Sequence, residues 1–403
     1  MSKQVYAIAT MDTKGEEIAF VADCLRNAGV DVQTIDVGTK DAPVVRPDIS
    51  REDVLAGAAM PDSGDRGQAI TAMGDALRTY LQNESDGGRL AGVLGIGGSG
   101  GTALITAAMR ALPVGLPKLM VSTMASGNTA PYIDCSDITM MYSVVDVAGL
   151  NVVSKTVLRN AANAMAGMVQ YFEEESQSRS TLAMTMFGVT TPCVTQVRQQ
   201  LEQEGHDCLV FHATGSGGRA MEKLVASGMI NGVLDVTTTE VADEVVGGVM
   251  PAGKQRFDAL IESKIPLVLS LGAVDMVNFG GRETVPEKFE GRQFHVHNAQ
   301  VTLMRTTPEE NRQIARWITN KLNRATAPVT VVVPEGGVSA LDAPGEAFHN
   351  PAANEALFSE LRATLQQDSL RKLVFSPHHI NDPEFAQLLR DEFHGLLSGR
   401  ATS

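Results

Sequence analysis

Residues 95–102 read Gly-Ile-Gly-Gly-Ser-Gly-Gly-Thr. An apolar run at residues 90–94 precedes them, and helical spacing over residues 103–112 follows. A strand, a glycine turn and a helix start therefore meet here, as they do in the βα units of a parallel sheet. Glycine lets a backbone approach a ligand closely and adopt positive φ. A helix start adds unpaired N–H groups and the positive end of a dipole. A tight turn without any ligand accounts for the same letters.

Two standard phosphate-binding patterns fit this loop incompletely. Gly95, Gly97 and Gly100 satisfy G-x-G-x-x-G, but that pattern also needs an acid about twenty residues on, for the ribose. No Asp or Glu stands between Asp86 and Asp134. Residues 95–102 also have the spacing of a Walker A loop, yet Gly101 stands where that loop carries its lysine. NAD and an ordinary P-loop ATPase are both marked down. What remains is a phosphate or carboxylate cradle of backbone amides at Gly97, Gly98, Ser99, Gly100, Gly101 and Thr102, with its cation supplied from elsewhere.

The chain has 403 residues, enough for two domains, and 43% of them are hydrophobic, enough for sizeable cores. Lys plus Arg number 33 against 47 Asp plus Glu, a net charge of −14. That balance argues against a nucleic-acid partner, although amides and Mg²⁺ still let an acidic protein hold a nucleotide. Cys24, Cys135, Cys193 and Cys208 form no C-x-x-C pair and no zinc spacing, so they read as small buried residues in a reducing compartment. The N-terminal residues lack the basic-then-apolar pattern of a signal peptide, and no apolar run reaches membrane-spanning length. A cytoplasmic protein with no membrane contact is expected.

In chain order, residues 5–10 read as a strand, residues 11–15 as a polar turn, residues 16–28 as a helix and residues 32–37 as the next strand. This βαβ unit implies a parallel sheet. Residues 41–65, with Pro43, Pro47 and Pro61, read as a long excursion of the kind that is often functional. Further strands fall at residues 118–121 and 138–145. A long amphipathic helix spans residues 151–172, with Leu158, Ala161, Ala162, Met165, Met168, Val169 and Phe172 on one face. Residues 173–180 are the best linker, which divides the chain into residues 1–176 and 177–403. The second half restarts like the first, with strands at residues 182–187, 208–212, 232–236, 266–271, 329–333 and 372–375. Its second glycine turn, at residues 213–222, echoes the first. Helices are expected from Thr239, Pro308 and Asn354, and a last one from Pro383 with Asp382 as its cap. The fold class is α/β, two Rossmann-like doubly wound domains with mostly parallel sheets and a ligand cleft between them.

Ligands of open α/β sheets sit beyond the C-terminal ends of strands. In the first half that rule selects Thr10, Asp12, Thr13, Lys14 and Gly38, the glycine loop, and Ser126, Gly127 and Asn128. Asp12 can hold Mg²⁺, and Lys14 or Arg66 can supply the missing cation. Helix capping explains Asp12 and Thr13 equally well. In the second half it selects Gly215, Ser216, Gly217 and Gly218, then Thr237, Thr238 and Glu240, as a substrate-binding group. His295 and His297 alternate on one strand, as metal ligands or as satisfied polar residues. His378 and His379 follow a strand directly, where an acid–base role is open. No nucleophile elbow and no zincin motif is present.

Residues 5–17 (VYAIATMDTKGEE), 64–70 (GDRGQAI), 93–102 (VLGIGGSGGT) and 235–248 (DVTTTEVADEVVGG) resemble an uncharacterised bacterial and fungal family. That family is homologous to the ATP-binding inhibitory domain of the tomato tobamovirus-resistance protein. The resemblance spans both halves. It implies two Rossmann-like domains, ATP with Mg²⁺ in the first, and a homodimer. It also implies a separate barrel-enzyme partner, because the plant protein carries a barrel beyond the point where this sequence stops. The sequence-level expectation is an ATP-binding protein, either a transferase or ligase acting on a small-molecule carboxylate or a non-catalytic dimer that docks on a partner.

Overall fold

Strands buried on both faces appear in a sequence as short apolar runs, and each of the eleven strand segments expected above is a strand in the structure. The structure, a computed structural model, describes residues 3–58, 60, 61, 65–173 and 179–400. Two compact units divide the chain, residues 1–175 and 176–403. The division falls among residues 174–178, which lie outside the described residues, as does most of the expected linker.

Unit 1 contains β1 (Gln4–Ala9), α1 (Met11–Asn27), β2 (Val32–Asp36), α2 (Arg51–Leu55), α3 (Arg66–Asp86), β3 (Leu90–Gly97), α4 (Ser99–Met109), β4 (Lys118–Ser122), α5 (Ala130–Ile133), β5 (Thr139–Tyr142) and α6 (Val152–Gln170). The five strands form one parallel sheet in the order β2-β1-β3-β4-β5. Alternation along β1 sends Val5, Ala7 and Ala9 to one face, where α1 and α6 cover them. Tyr6 and Ile8 go to the other face, under α3 and α4. The sheet is thus doubly wound, and the chain reverses its winding between β1 and β3.

Unit 2 contains β6 (Thr181–Met186), α7 (Thr191–Gln203), β7 (Asp207–His212), α8 (Ser216–Ala226), β8 (Gly232–Thr237), α9 (Thr239–Val246), α10 (Asp258–Glu262) and β9 (Leu267–Gly272). It continues with β10 (Met276–Phe279), β11 (Phe294–Asn298), β12 (Val301–Arg305), α11 (Pro308–Leu322), β13 (Val329–Pro334), α12 (Pro351–Thr364), β14 (Arg371–Ser376) and α13 (Pro383–Arg400). Its main sheet is parallel, in the order β14-β13-β9-β8-β6-β7. Counted within the unit, the second strand lies outside the first and the third inside it, as in unit 1. Helices α7 and α13 cover one face and α8, α11 and α12 the other.

The structure departs from the sequence reading in definite places. The polar residues after β1 are not a turn. Helix α1 begins at Met11 and bends at Lys14, whose φ of −132° and ψ of 25° are not helical. The excursion at residues 41–65 contains α2, opened by a capping box between Ser50 and Asp53. An antiparallel ribbon, β10-β12-β11, follows β9, and only β11 had announced itself. The long helix ends at Gln170, before Phe172. Of the four cysteines, Cys193 alone is buried, the others being half-buried, and none forms a disulfide. Among the described residues, no helix is long and apolar enough to cross a membrane.

Candidate functional site

In unit 1 the loops after β1 and β3 lie side by side, because Ile8 stands opposite Gly95 in the sheet and neighbouring strands are about 4.8 Å apart. The point where the winding reverses is where open α/β sheets bind ligands, so the sheet itself brings the Thr10 and Gly97 loops together.

The glycines of residues 95–101 serve space rather than unusual backbone angles, since none of them has positive φ. A Cβ on Gly95 would stand 2.6 Å from Met120 Sδ and 2.7 Å from Ile105 Cγ2, so its absence lets α4 lie directly on the sheet. A Cβ on Gly97 would stand 2.6 Å from the Thr102 nitrogen. Gly98 differs, because the nearest atom to its missing Cβ is Thr123 Oγ1 at 4.0 Å. Gly98 is the N-cap of α4 and offers no side chain to cap it, and the first turn contains no acidic residue. The amides of Ser99, Gly100 and Gly101 therefore open the helix without an acceptor among the described residues, at a partly exposed surface. Beneath them, Thr102 Oγ1 meets Ser122 Oγ at 2.6 Å and donates to Gly97 O at 3.3 Å.

The loop after β1 supplies the other wall. Met11 N donates to Asp36 Oδ1 at 3.0 Å and Gly38 N donates to the same atom at 2.7 Å. Arg51 Nε donates to Asp36 Oδ2 at 3.1 Å. The start of α1 is thus satisfied by Asp36, and Thr10, its N-cap residue, makes no side-chain cap. Thr10 Oγ1 and Thr13 Oγ1 meet each other at 3.2 Å. Asp12 caps nothing either. Its Oδ1 is shielded from solvent and has no hydrogen-bond partner among the described residues. A Cβ on Gly38 would stand 3.3 Å from that atom. An unmatched carboxylate oxygen on one loop and unmatched amides on the loop after the neighbouring strand are groups that a cation and an anion would satisfy.

The remaining residues fall as follows. Lys14 Nζ donates to Val147 O, which ties one of its three donors to the backbone. Arg66 opens α3, and its side chain lies outside the described residues. Ser126, Gly127 and Asn128 are exposed on the loop after β4, where Asn128 Oδ1 accepts from Ala130 N at 3.2 Å. Sequence reasoning missed Asp36, Arg51, Ser122 and Thr123. Asp36 had a signal, an acid closing an apolar strand, but the search for such an acid began from the Gly95 loop instead of the first βα turn.

Unit 2 treats the equivalent positions differently. The second glycine turn follows β7, the second strand of its sheet, so it is not the counterpart of the Gly95 loop; that place belongs to Thr238 and Glu240, after β8. Glu240 Oε1 accepts from Gly215 N at 2.7 Å and Gly218 N at 3.2 Å. A side-chain carboxylate therefore sits where an anionic ligand would bind the turn, with Ser216 exposed and Gly217 partly exposed beside it. The fully buried Arg256 holds this group with Asp235 (2.7 Å), Glu222 (2.8 Å) and Glu240 (3.3 Å). Burial pulls the Arg256 guanidinium down, but the three carboxylates outweigh it and hold it above the usual arginine range. Thr237, Thr238 and Glu240 are fully buried. Thr237 Oγ1 meets Thr190 Oγ1 at 2.7 Å, and Thr238 Oγ1 donates to Ser270 O at 3.1 Å. The polar groups of this stretch are committed to the protein itself.

Of the candidate histidines, His379 is committed too. His379 Nδ1 accepts from Asn381 N at 3.1 Å, which puts the ring proton on Nε2, 2.8 Å from Ser339 O. Asp382 accepts from His379 N with its side chain. His295 lies edge-on to Phe348, and among the described residues no group of three His, Cys, Asp or Glu gathers to hold a metal.

Comparison with known proteins agrees with this two-unit layout. Residues 3–174 match the N-terminal domain of the uncharacterised protein family UPF0261, and residues 179–397 match its C-terminal domain. A UPF0261 protein of Rhizobium meliloti is 54% identical over 96% of this chain and 97% of its own length. One of Clostridium tetani is 47% identical, with the same shares covered. The ToMV resistance protein Tm-1 of Solanum lycopersicum is 49% identical over 97% of this chain, which spans 55% of that longer protein. The chain therefore belongs to the uncharacterised UPF0261 family and carries both of its domains.

Proposed function

We propose that unit 1 binds ATP with Mg²⁺. The phosphates would lie on the amides of Ser99, Gly100 and Gly101, and Asp12 would hold the cation directly or through water. The observation that carries this reading is that the loops after two neighbouring strands, β1 and β3, carry an unpartnered Asp12 Oδ1 and an uncapped start of α4 among the described residues. Neither group has a partner among the described residues, and the two have complementary needs. The resemblance of residues 5–17 and 93–102 to an ATP-binding family supports the choice of nucleotide. Mg²⁺ supplies charge neutralisation of the phosphates when bound; this chain's own part is to orient them by backbone amides and to place a carboxylate beside them.

An ATP-dependent transferase or ligase acting on a small carboxylate is the enzymatic form of this reading. The loop itself favours the second form, nucleotide binding without rapid turnover. Gly101 stands where a Walker loop has lysine, and the first turn of α4 has no charged side chain to stabilise a transferring phosphoryl group. A phosphate-release assay with and without candidate carboxylic acids separates the two.

Titration calorimetry and thermal melting test the site. Mg·ATP stabilises the native protein by about 2.7 kcal/mol at a hundred times its dissociation constant, and NAD stabilises it less. Gly98→Val leaves the unliganded fold intact, because nothing lies within 4.0 Å of the missing Cβ except Thr123 Oγ1, yet it abolishes the response to ATP. A control belongs at Gly188, where a Cβ meets nothing within 4 Å, and not at Gly217, where it would stand 1.7 Å from His212 O. Full ATP affinity in folded Gly98→Val would show that the nucleotide binds elsewhere.

A further inference from the structure

A cavity of about 950 Å³ lies in unit 2 at the amino ends of three neighbouring strands, the end of the sheet opposite the glycine turn and Glu240. Its size is that of a small-molecule site. Arg179 and Ser180 lead into β6, Ile230 and Asn231 into β8, and Glu262 and Ile265 belong to the stretch that leads from α10 into β9. The strand order β9-β8-β6 sets these segments side by side. The segments that carry Glu262 and Arg179 thus stand two strand spacings apart, about 10 Å. Between them the lining is apolar, with Val225 and Ile230 buried and Ile265 half-buried. The polar groups around this apolar floor have little to do in the fold. Glu262 is exposed and has no partner among the described residues. Arg179 reaches Asp207 only at 3.7 Å, with both side chains more than half exposed. Asn231 is clamped to Thr181, its backbone N donating to Thr181 O at 2.8 Å and its Oδ1 accepting from Thr181 N at 2.8 Å. That leaves the Asn231 Nδ2 donors unused among the described residues.

We propose that this cavity binds a short peptide of apolar residues by its two charged ends, the carboxylate on Arg179 and the ammonium on Glu262. Charge and spacing select this ligand. A ligand of one charge would leave Arg179 or Glu262 unmatched, and a neutral apolar molecule would leave both. A free amino acid carries its two charges on one carbon, too close together for segments about 10 Å apart. An extended chain advances about 3.3–3.6 Å per residue, so three residues span the gap. Apolar side chains then cover Val225 and Ile230, and Asn231 Nδ2 donates to a peptide carbonyl of the ligand. The inference stands on unit 2 alone and does not depend on the nucleotide reading.

Titration calorimetry of the full chain with the tripeptide Val-Ala-Val is the test. The free tripeptide binds, and acetylating its amino end or amidating its carboxyl end weakens binding about fivefold each, the effect of losing one exposed ion pair. Glu262→Gln abolishes the penalty of acetylation and keeps that of amidation; Arg179→Gln does the reverse. Ala226→Trp, at an exposed position of the cavity wall, fills the space and abolishes binding with the melting temperature unchanged. Absence of binding by the free tripeptide overturns the proposal. So does free valine binding as tightly as the tripeptide, an acetylation penalty that persists in Glu262→Gln, or parental affinity in folded Ala226→Trp. If Ala226→Trp fails to fold, the Arg179 and Glu262 variants, both at exposed positions, decide.

Discussion

Burial brings two carboxyls of unit 2, Asp243 and Asp275, into the neutral pH range. Burial pushes Asp243 up to about 7 against the hydrogen bonds it accepts from Asn278 and Met250. Burial also pushes Asp275 up to about 7; Arg305 opposes the shift and Asp342 adds to it. Both carboxyls have folded values above the unfolded value of about 3.9, so the native state binds the extra protons. Their contribution to stability is fully present below about pH 4 and is lost as pH rises through about 7. Carboxylates with lowered values, such as Glu310 and Asp368, are ionised in both states above pH 5 and leave that window unaffected. Thermal melting of unit 2 is therefore expected to be higher at pH 5.5 than at pH 8. Asp275→Asn removes part of that slope; an unchanged slope would refute the assignment. Arg256 acts as a fixed charge by contrast. Removing one partner of a buried ion pair typically costs about 3–5 kcal/mol, and Arg256 serves three carboxylates. None of this was legible in the sequence. Glu240 stood out only as a polar residue at a strand end, and Glu222, Asp235 and Arg256, within the same 35 residues, look individually like surface charges.

At the scale of elements, legibility followed burial. Parallel strands such as β8 and β13, buried at every position, are apolar runs that can hardly be read otherwise. Helix α1 hid its start because its first turn, Met11-Asp12-Thr13-Lys14, is capped from β2 by Asp36 and not by its own N-cap side chain. The ribbon strands β10 and β12 were missed because they are short and pair with each other across 21 intervening residues. The glycine loop was legible as a βα junction, but the separate jobs of its glycines were not, since these depend on Met120, Ile105 and Thr102. Gly97→Ala forces a Cβ to within 2.6 Å of the Thr102 nitrogen, a backbone atom that cannot swing aside. It is expected to destabilise unit 1 by about 1–3 kcal/mol, as overpacking does. Gly98→Ala is expected to change stability by less than about 0.5 kcal/mol. Urea unfolding of the two variants measures the difference, and equal effects would mean that the loop has more room than its geometry indicates.

At the scale of the whole chain, two units share one strand order and treat the ends of their strands in opposite ways. Unit 1 leaves helix amides and a carboxylate oxygen unmatched where its winding reverses; unit 2 fills its glycine turn with Glu240 and closes the surrounding polar groups on each other. The candidate site was legible in outline, as glycine and threonine at strand ends. Which half kept its donors free was not, because the deciding residues, Asp36 and Glu240, act through folding and not through neighbouring sequence.

That asymmetry gives the two turns different clocks in deuterated water. The amides of Ser99, Gly100 and Gly101, with no internal acceptor, should exchange at rates near those of an unfolded chain. Those of Gly215 and Gly218, bonded to a buried carboxylate, should exchange only through opening of unit 2 and be slower by orders of magnitude. Any compound that occupies the first turn must slow the first set and leave the second untouched. The protein thus contains a probe and an internal reference in one chain, and a library of metabolites can be screened against it with no assumption about the reaction.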